Sequence, residues 1–174
     1  MSWILILLLP IAAALIFAAL TIKRNAAGSV GFPYQPAGIL FSAAERAFLG
    51  VLDQAVGPQY RVFGKVRVAD VARVKPGLGR SARQGALNRI AAKHFDFVVC
   101  RASDLAVICA VELNDRSHTS RHARARDQFI ETLCRTIDLP LLQVAARAAY
   151  SHQDIRGQFQ AAIGAAPSGE HSGA

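Results

Sequence analysis

Apolar and polar positions along this chain change period several times, and each change marks an element. The string Ser42-Ala43-Ala44-Glu45 has the form of a capping box, and Phe48, Leu49, Leu52 and Val56 follow at helical spacing until Gly57-Pro58 stops the run. From Tyr60 to Val68 the pattern alternates, with Arg61, Phe63, Lys65 and Arg67 on one side, which predicts a strand with one polar face. Asp70 ends it as a turn cap. Val71 to Lys93 reads as a connection broken by Pro76-Gly77 and Gly79, with helical character from Ala82 to Ala92. Phe95–Arg101 and Ala106–Leu113 are rich in β-branched and aromatic residues, and the polar patch Ala102-Ser103-Asp104 between them is short enough for a hairpin. A helix is expected from Arg121 to Ile137, capped by Thr119 or Ser120, with Ile130, Leu133 and Ile137 as its apolar stripe. Leu141–Ala145 predicts a short strand that pairs in parallel after this crossover, and Ser151–Ile163 a last short helix. The core order is α-β-β-β-α-β, an α/β sandwich around a mixed central sheet.

The ends differ from this pattern. Trp3 to Ile22 holds no charged residue and is long enough to span a bilayer, and Lys23 and Arg24 follow at once. Positive charge at that flank predicts a single-pass anchor in the inner (cytoplasmic) membrane with the remainder in the cytoplasm. A cleaved secretory signal is the rival, disfavoured because no Lys or Arg precedes the run and the run exceeds an ordinary signal core. Residues 25–38, with three Gly and two Pro, read as a linker, residues 39–163 as the folded domain and 164–174 as a disordered tail. Cys100, Cys109 and Cys134 have no metal-ligand spacing and read as small buried hydrophobes in a reducing compartment.

The hairpin carries the candidate chemistry. Asp96 and Glu112 interrupt runs that are otherwise nearly all apolar, and a buried carboxylate is costly unless something pairs with it. Alternation places Asp96, Val98 and Cys100 on one face of the first strand, and Ile108, Ala110, Glu112 and Asn114 on one face of the second. A hairpin pivoting at Asp104 sets Asp96 directly opposite Glu112, with Cβ atoms about 5 Å apart. Two like charges that close call for a cation, and a hard divalent ion such as Mg²⁺ or Mn²⁺ fits.

An aspartate on one strand and Val111-Glu112-Leu113-Asn114 on the next resemble the PD-(D/E)XK nuclease superfamily. The longer string Glu112-Leu113-Asn114-Asp115-Arg116-Ser117-His118 is similar to a variant in which the lysine is replaced and a histidine follows. That variant occurs in a bacterial domain of unknown function often attached to a membrane segment, and in mismatch-repair-like endonucleases. Arg126-Asp127-Gln128-Phe129 and Leu139-Pro140-Leu141-Leu142 also look like that domain, and the likeness runs from about Leu40 to Val144. It implies a restriction-endonuclease-like fold, metal-dependent hydrolysis of DNA phosphodiester bonds and no organic cofactor. Asp96 and Glu112 would be metal ligands, with the Leu113 carbonyl as a third. Asn114 stands where the superfamily has its lysine; an amide can hydrogen-bond a water but supplies neither positive charge nor a base. His118 would then serve the water or the leaving oxygen, oriented by Asp115. An acidic residue on the first helix sometimes reaches the metal in such nucleases, which makes Glu45 a further candidate beside its capping role.

Charge narrows the partners. The chain carries a formal +8, and the ten Lys or Arg from Arg61 to Arg101 stand against Asp70 and Asp96 alone. A phosphate-tracking surface for DNA, a face near anionic lipid and a merely solvated surface are all compatible with that excess. Arg121 and Arg124, at a helix start, are candidates to hold a phosphate, with solvated helix charges as the equal alternative. Three functions follow: a membrane-anchored nuclease, a catalytically decayed nuclease-fold module that grips nucleic acid or a protein at the membrane, or a lipid-facing structural protein.

Overall fold

The computed structural model describes residues 15–17, 32–114 and 121–165, and for residues 121–123 the backbone alone. The chain divides after Leu40. In the first unit, residues 15–17 are helical and 32–40 have no regular structure apart from a bend at Leu40, with Phe32 set edge-on to Tyr34. Among the described residues no helix is long and apolar enough to cross a membrane. The rest of the expected anchor, Trp3–Ile22, lies outside them.

The second unit is a mixed α/β fold. Its elements are α1 (Ala43–Val56), β1 (Tyr60–Arg67), α2 (Val68–Val71), α3 (Arg80–Ala91), β2 (His94–Arg101), β3 (Val107–Asn114), α4 (Arg121–Thr136), β4 (Leu141–Ala145) and α5 (His152–Gly164). The four strands lie in the order β1-β2-β3-β4. The first three pair antiparallel, and β4 joins β3 in parallel after the α4 crossover. Within the core order α-β-β-β-α-β, the helical stretch expected over Ala82–Ala92 is α3 and the last helix expected over Ser151–Ile163 is α5, while the short helix α2 between β1 and α3 is an addition. The one-turn helix α2 stands where Asp70 was expected to close a turn, and Asp70 instead takes a two-pronged salt bridge from Arg67. Helix α5 runs to Gly164, one residue into the expected tail.

Local chemistry explains the main elements. Ser42 accepts the Glu45 N–H and Glu45 accepts the Ser42 N–H, so the start of α1 is closed in both directions. Gly57 ends it at φ 85°, a conformation that suits a residue with no Cβ. Phe48, Leu52, Ala55 and Val56 form the buried stripe of α1 and pack with Ile155 and Phe159 of α5 on one face of the sheet, against Phe97, Val99, Cys109, Val111, Leu142 and Val144. The opposite face meets Ile90 of α3 and Ile130 and Cys134 of α4, through Val98, Cys100 and Ala110. Strands β2 and β3 are covered on both sides, which is why their sequences read as continuous apolar runs. An acidic side chain in such a run has no path to water except at a strand end.

Candidate functional site

The register of the hairpin fixes the site. Phe97 pairs with Val111 and Val98 with Ala110, and one more step along both strands brings Asp96 across from Glu112. Both follow the side of the sheet that Val98 and Ala110 present to α4. The two carboxylates expected to converge therefore do so, at the N-terminal end of β2 and the C-terminal end of β3.

Their surroundings differ. Asp96 accepts the Leu113 N–H at 2.9 Å through Oδ2, and the ammonium of Lys65 stands 3.9 Å from Oδ1. Burial raises its pKa above the ordinary aspartate value, against the lowering effects of the Leu113 N–H, Lys65 and Arg126. Glu112 is 3 % exposed. Its Oε2 accepts a hydrogen bond from Arg126 at 2.8 Å, while its buried Oε1 has no hydrogen-bond partner among the described residues. Burial pushes Glu112 up to about 7, with Asp96 adding to the rise and Arg126 opposing it. The pair would thus hold a proton near neutrality unless more positive charge arrives.

Two cations that the sequence reading did not assign sit beside the acids. Arg126 projects from α4 and also donates to the His94 carbonyl at 3.4 Å. It precedes Ile130 and Cys134 at intervals of four, so it belongs to the helix stripe that faces the sheet. An arginine on that stripe is the signal that would have found it. Alternation along β1 puts Lys65 on a polar strand face. In the fold it is half-buried, joined in a close ion pair to Glu45 and lying at the level of Asp96, since Gly64 pairs with Phe97 and Val66 with Phe95. Its φ of 55° is left-handed, which costs a non-glycine residue about 1 kcal/mol or more. Glu45 itself is pushed up by burial, but Lys65 and the two Ser42 hydrogen bonds outweigh this and leave it below the ordinary glutamate value.

The other expected residues are less gathered. Asn114 ends β3, where its carbonyl accepts the Ala146 N–H at 2.9 Å, two residues beyond Glu112 on the same face by alternation. Asp115 and His118 lie outside the described residues. Arg121 opens α4 with its side chain outside them, and Arg124 is exposed on the same helix. Among the described residues no three His, Cys, Asp or Glu side chains are close enough to hold a metal together. The chemistry of the pair nevertheless fits a divalent cation: a buried and a partly buried carboxylate with raised pKa values, the buried one with an oxygen that has no hydrogen-bond partner among the described residues. A cleft of about 410 Å³ opens beside them, lined by Lys65, Ala92, Lys93, His94, Asp96 and Arg126.

Among known proteins, residues 37–163 match a family described as a protein of unknown function (DUF2726). No curated protein and no solved structure matches the chain.

Proposed function

Starting from membership of DUF2726, a family of unknown function that takes in most of this chain, we propose a divalent-metal-dependent, nuclease-like protein that hydrolyses DNA phosphodiester bonds and is held at the inner membrane by residues 1–24. The observation that carries this reading is the buried Oε1 of Glu112 beside Asp96, which has no hydrogen-bond partner among the described residues. A carboxylate oxygen left without a donor in an apolar layer is a standing cost that a bound cation would remove. Asp96 and Glu112 would hold Mg²⁺ or Mn²⁺, with the Leu113 carbonyl as a third ligand by likeness to the PD-(D/E)XK nucleases. The ion, when bound, would polarise the phosphate and acidify a water. Within the chain, Asn114 would hydrogen-bond that water and His118 would take or return its proton. The raised pKa of Glu112 means that binding an ion also releases a proton near neutral pH.

The test is nicking of supercoiled plasmid by the full-length protein, purified in mild detergent, with Mg²⁺ or Mn²⁺. Wild type is expected to nick and Asp96→Ala to be inactive. Equal nicking by both would refute the assignment.

A second reading rests on a different observation. Arg126 already occupies Oε2 of Glu112, and Asn114 stands at the lysine position. A site neutralised by its own arginine suits a module that binds nucleic acid or a partner protein without cutting. Salt-sensitive DNA binding that persists in EDTA, with no heat of Mn²⁺ binding by calorimetry, would favour it.

A further inference from the structure

The cleft beside Asp96 has a composition that the carboxylate pair does not explain. Its lining brings together Lys65, Lys93 and Arg126 against Asp96. Arg126 is committed to Glu112, and Lys65 to Glu45 and Asp96. Lys93 has no carboxylate within ion-pair reach among the described residues; its ammonium donates to the Arg89 carbonyl at 2.8 Å and lies 4.9 Å from the centre of the Phe129 ring. An ammonium has three donors, so Lys93 keeps capacity for an incoming oxygen.

We propose that this cleft is the seat of a backbone phosphate of a nucleic-acid strand, and that Lys65 and Lys93 are the side chains that meet it. The choice of nucleic acid rests on the nuclease-like reading; the anion seat rests on the geometry. Both lysines are held in place. The Lys93 N–H donates to the Ile90 carbonyl at 3.2 Å, and its carbonyl accepts the Val68 N–H at 2.9 Å. Lys65 keeps a long charged side chain at a left-handed backbone position where glycine or asparagine would sit with less strain, an outlier that points to a use for the charge. A further cation stands near the cleft: Arg89 lies 5.2 Å from the same Phe129 ring that Lys93 approaches, and lines a groove with Gln128 and Thr132. Several cations in one region suit a chain of phosphates better than a single small anion. A flat lipid surface fits less well, because the Lys65 side chain is only 32 % exposed and recessed beside Asp96.

Fluorescence anisotropy tests this, using full-length protein and labelled single-stranded and duplex oligonucleotides in EDTA, so that binding is read apart from cleavage. Lys93→Gln and Lys65→Gln are each expected to weaken binding about tenfold, one charge-assisted contact. Each should also reduce the slope of log affinity against log salt by about one. Lys93→Arg should retain most of the affinity. Arg135→Gln changes net charge equally on an exposed Glu131 pair outside the cleft and should change little. Thermal melts by circular dichroism identify any variant that has lost its fold, and the seat is then judged on the other lysine. Both lysine variants behaving like Arg135→Gln would overturn the proposal. So would wild type that binds neither oligonucleotide, or lysine-dependent binding to phosphatidylserine vesicles without oligonucleotide binding. Lysine-dependent binding together with an absence of nicking would uphold the seat and remove only the nuclease reading.

Discussion

Glu112→Gln isolates the electrostatic cost of the site. In wild type the Glu112 pKa rises from 4.5 to about 7 on folding. Between those values the native state binds more protons than the unfolded state, so stability falls as pH rises through the window from about 4.5 to 7. The full cost above pH 7 is about 3 kcal/mol, at 1.36 kcal/mol per pKa unit. Glutamine never ionises, so its variant escapes this slope. It removes the nearer carboxylate partner of Arg126, but Asp127 stays 3.5 Å from that guanidinium, and the side chain is 41 % exposed so that water can solvate it, which limits the loss to about 1 kcal/mol. Glu112→Gln should therefore match wild type to within about 1 kcal/mol at pH 5 and exceed it by about 2 kcal/mol at pH 8. Urea unfolding followed by far-ultraviolet circular dichroism measures this; fluorescence is a poor reporter because the single tryptophan is Trp3. Adding Mn²⁺ at pH 8 should stabilise wild type and not the variant. Wild-type stability that is flat from pH 5 to 8, or a variant less stable than wild type at pH 8, would refute the account of Glu112 as a strained, ionised acid.

Other perturbations test the frame around the site. Phe48→Ala empties a fully buried position between Phe97 and Tyr150 and should cost about 3–5 kcal/mol in the same urea assay. Gly64→Ala would drive a methyl group into the Phe41 ring, which stacks on Phe97 at 5.7 Å; a loss of about 1–3 kcal/mol is expected, and no change would mean that the Phe41 contact is dispensable. Burial pushes the Cys109 and Cys134 thiols up to about 12 and raises Cys100, so native protein at pH 8 should leave all three unmodified by a thiol reagent and denatured protein should react at all three.

What the sequence made legible was what depends on near neighbours. Alternation and a hairpin turn put Asp96 opposite Glu112; the pairing shifts by one between Val99 and Cys100, and the register expected at Asp96 holds from Val99 toward Asp96. The capping box at Ser42 and the parallel return of β4 follow equally local signals. Lys65 and Arg126 are not legible in this way because each meets its carboxylate across separate elements, β1 against α1 and α4 against β3, with no turn that fixes the pairing. Alternation alone assigns Lys65 to solvent, and only the antiparallel pairing of β1 with β2 brings it level with Asp96. Arg126 was the more readable of the two, since its spacing to Ile130 and Cys134 marks it as facing the sheet. The helical turn α2 escaped because a four-residue helix leaves no periodic trace.

Glu45 divides its two oxygens between unrelated tasks. One closes the beginning of α1 on Ser42 and the other grips Lys65. Fraying of that first turn therefore loosens the hold on the lysine, and hydrogen exchange at the Ser42 and Glu45 amides would time it. A hydroxyl on the outside of the domain, at Ser42, thereby helps govern how long a charge inside the cleft stays where a strand could find it.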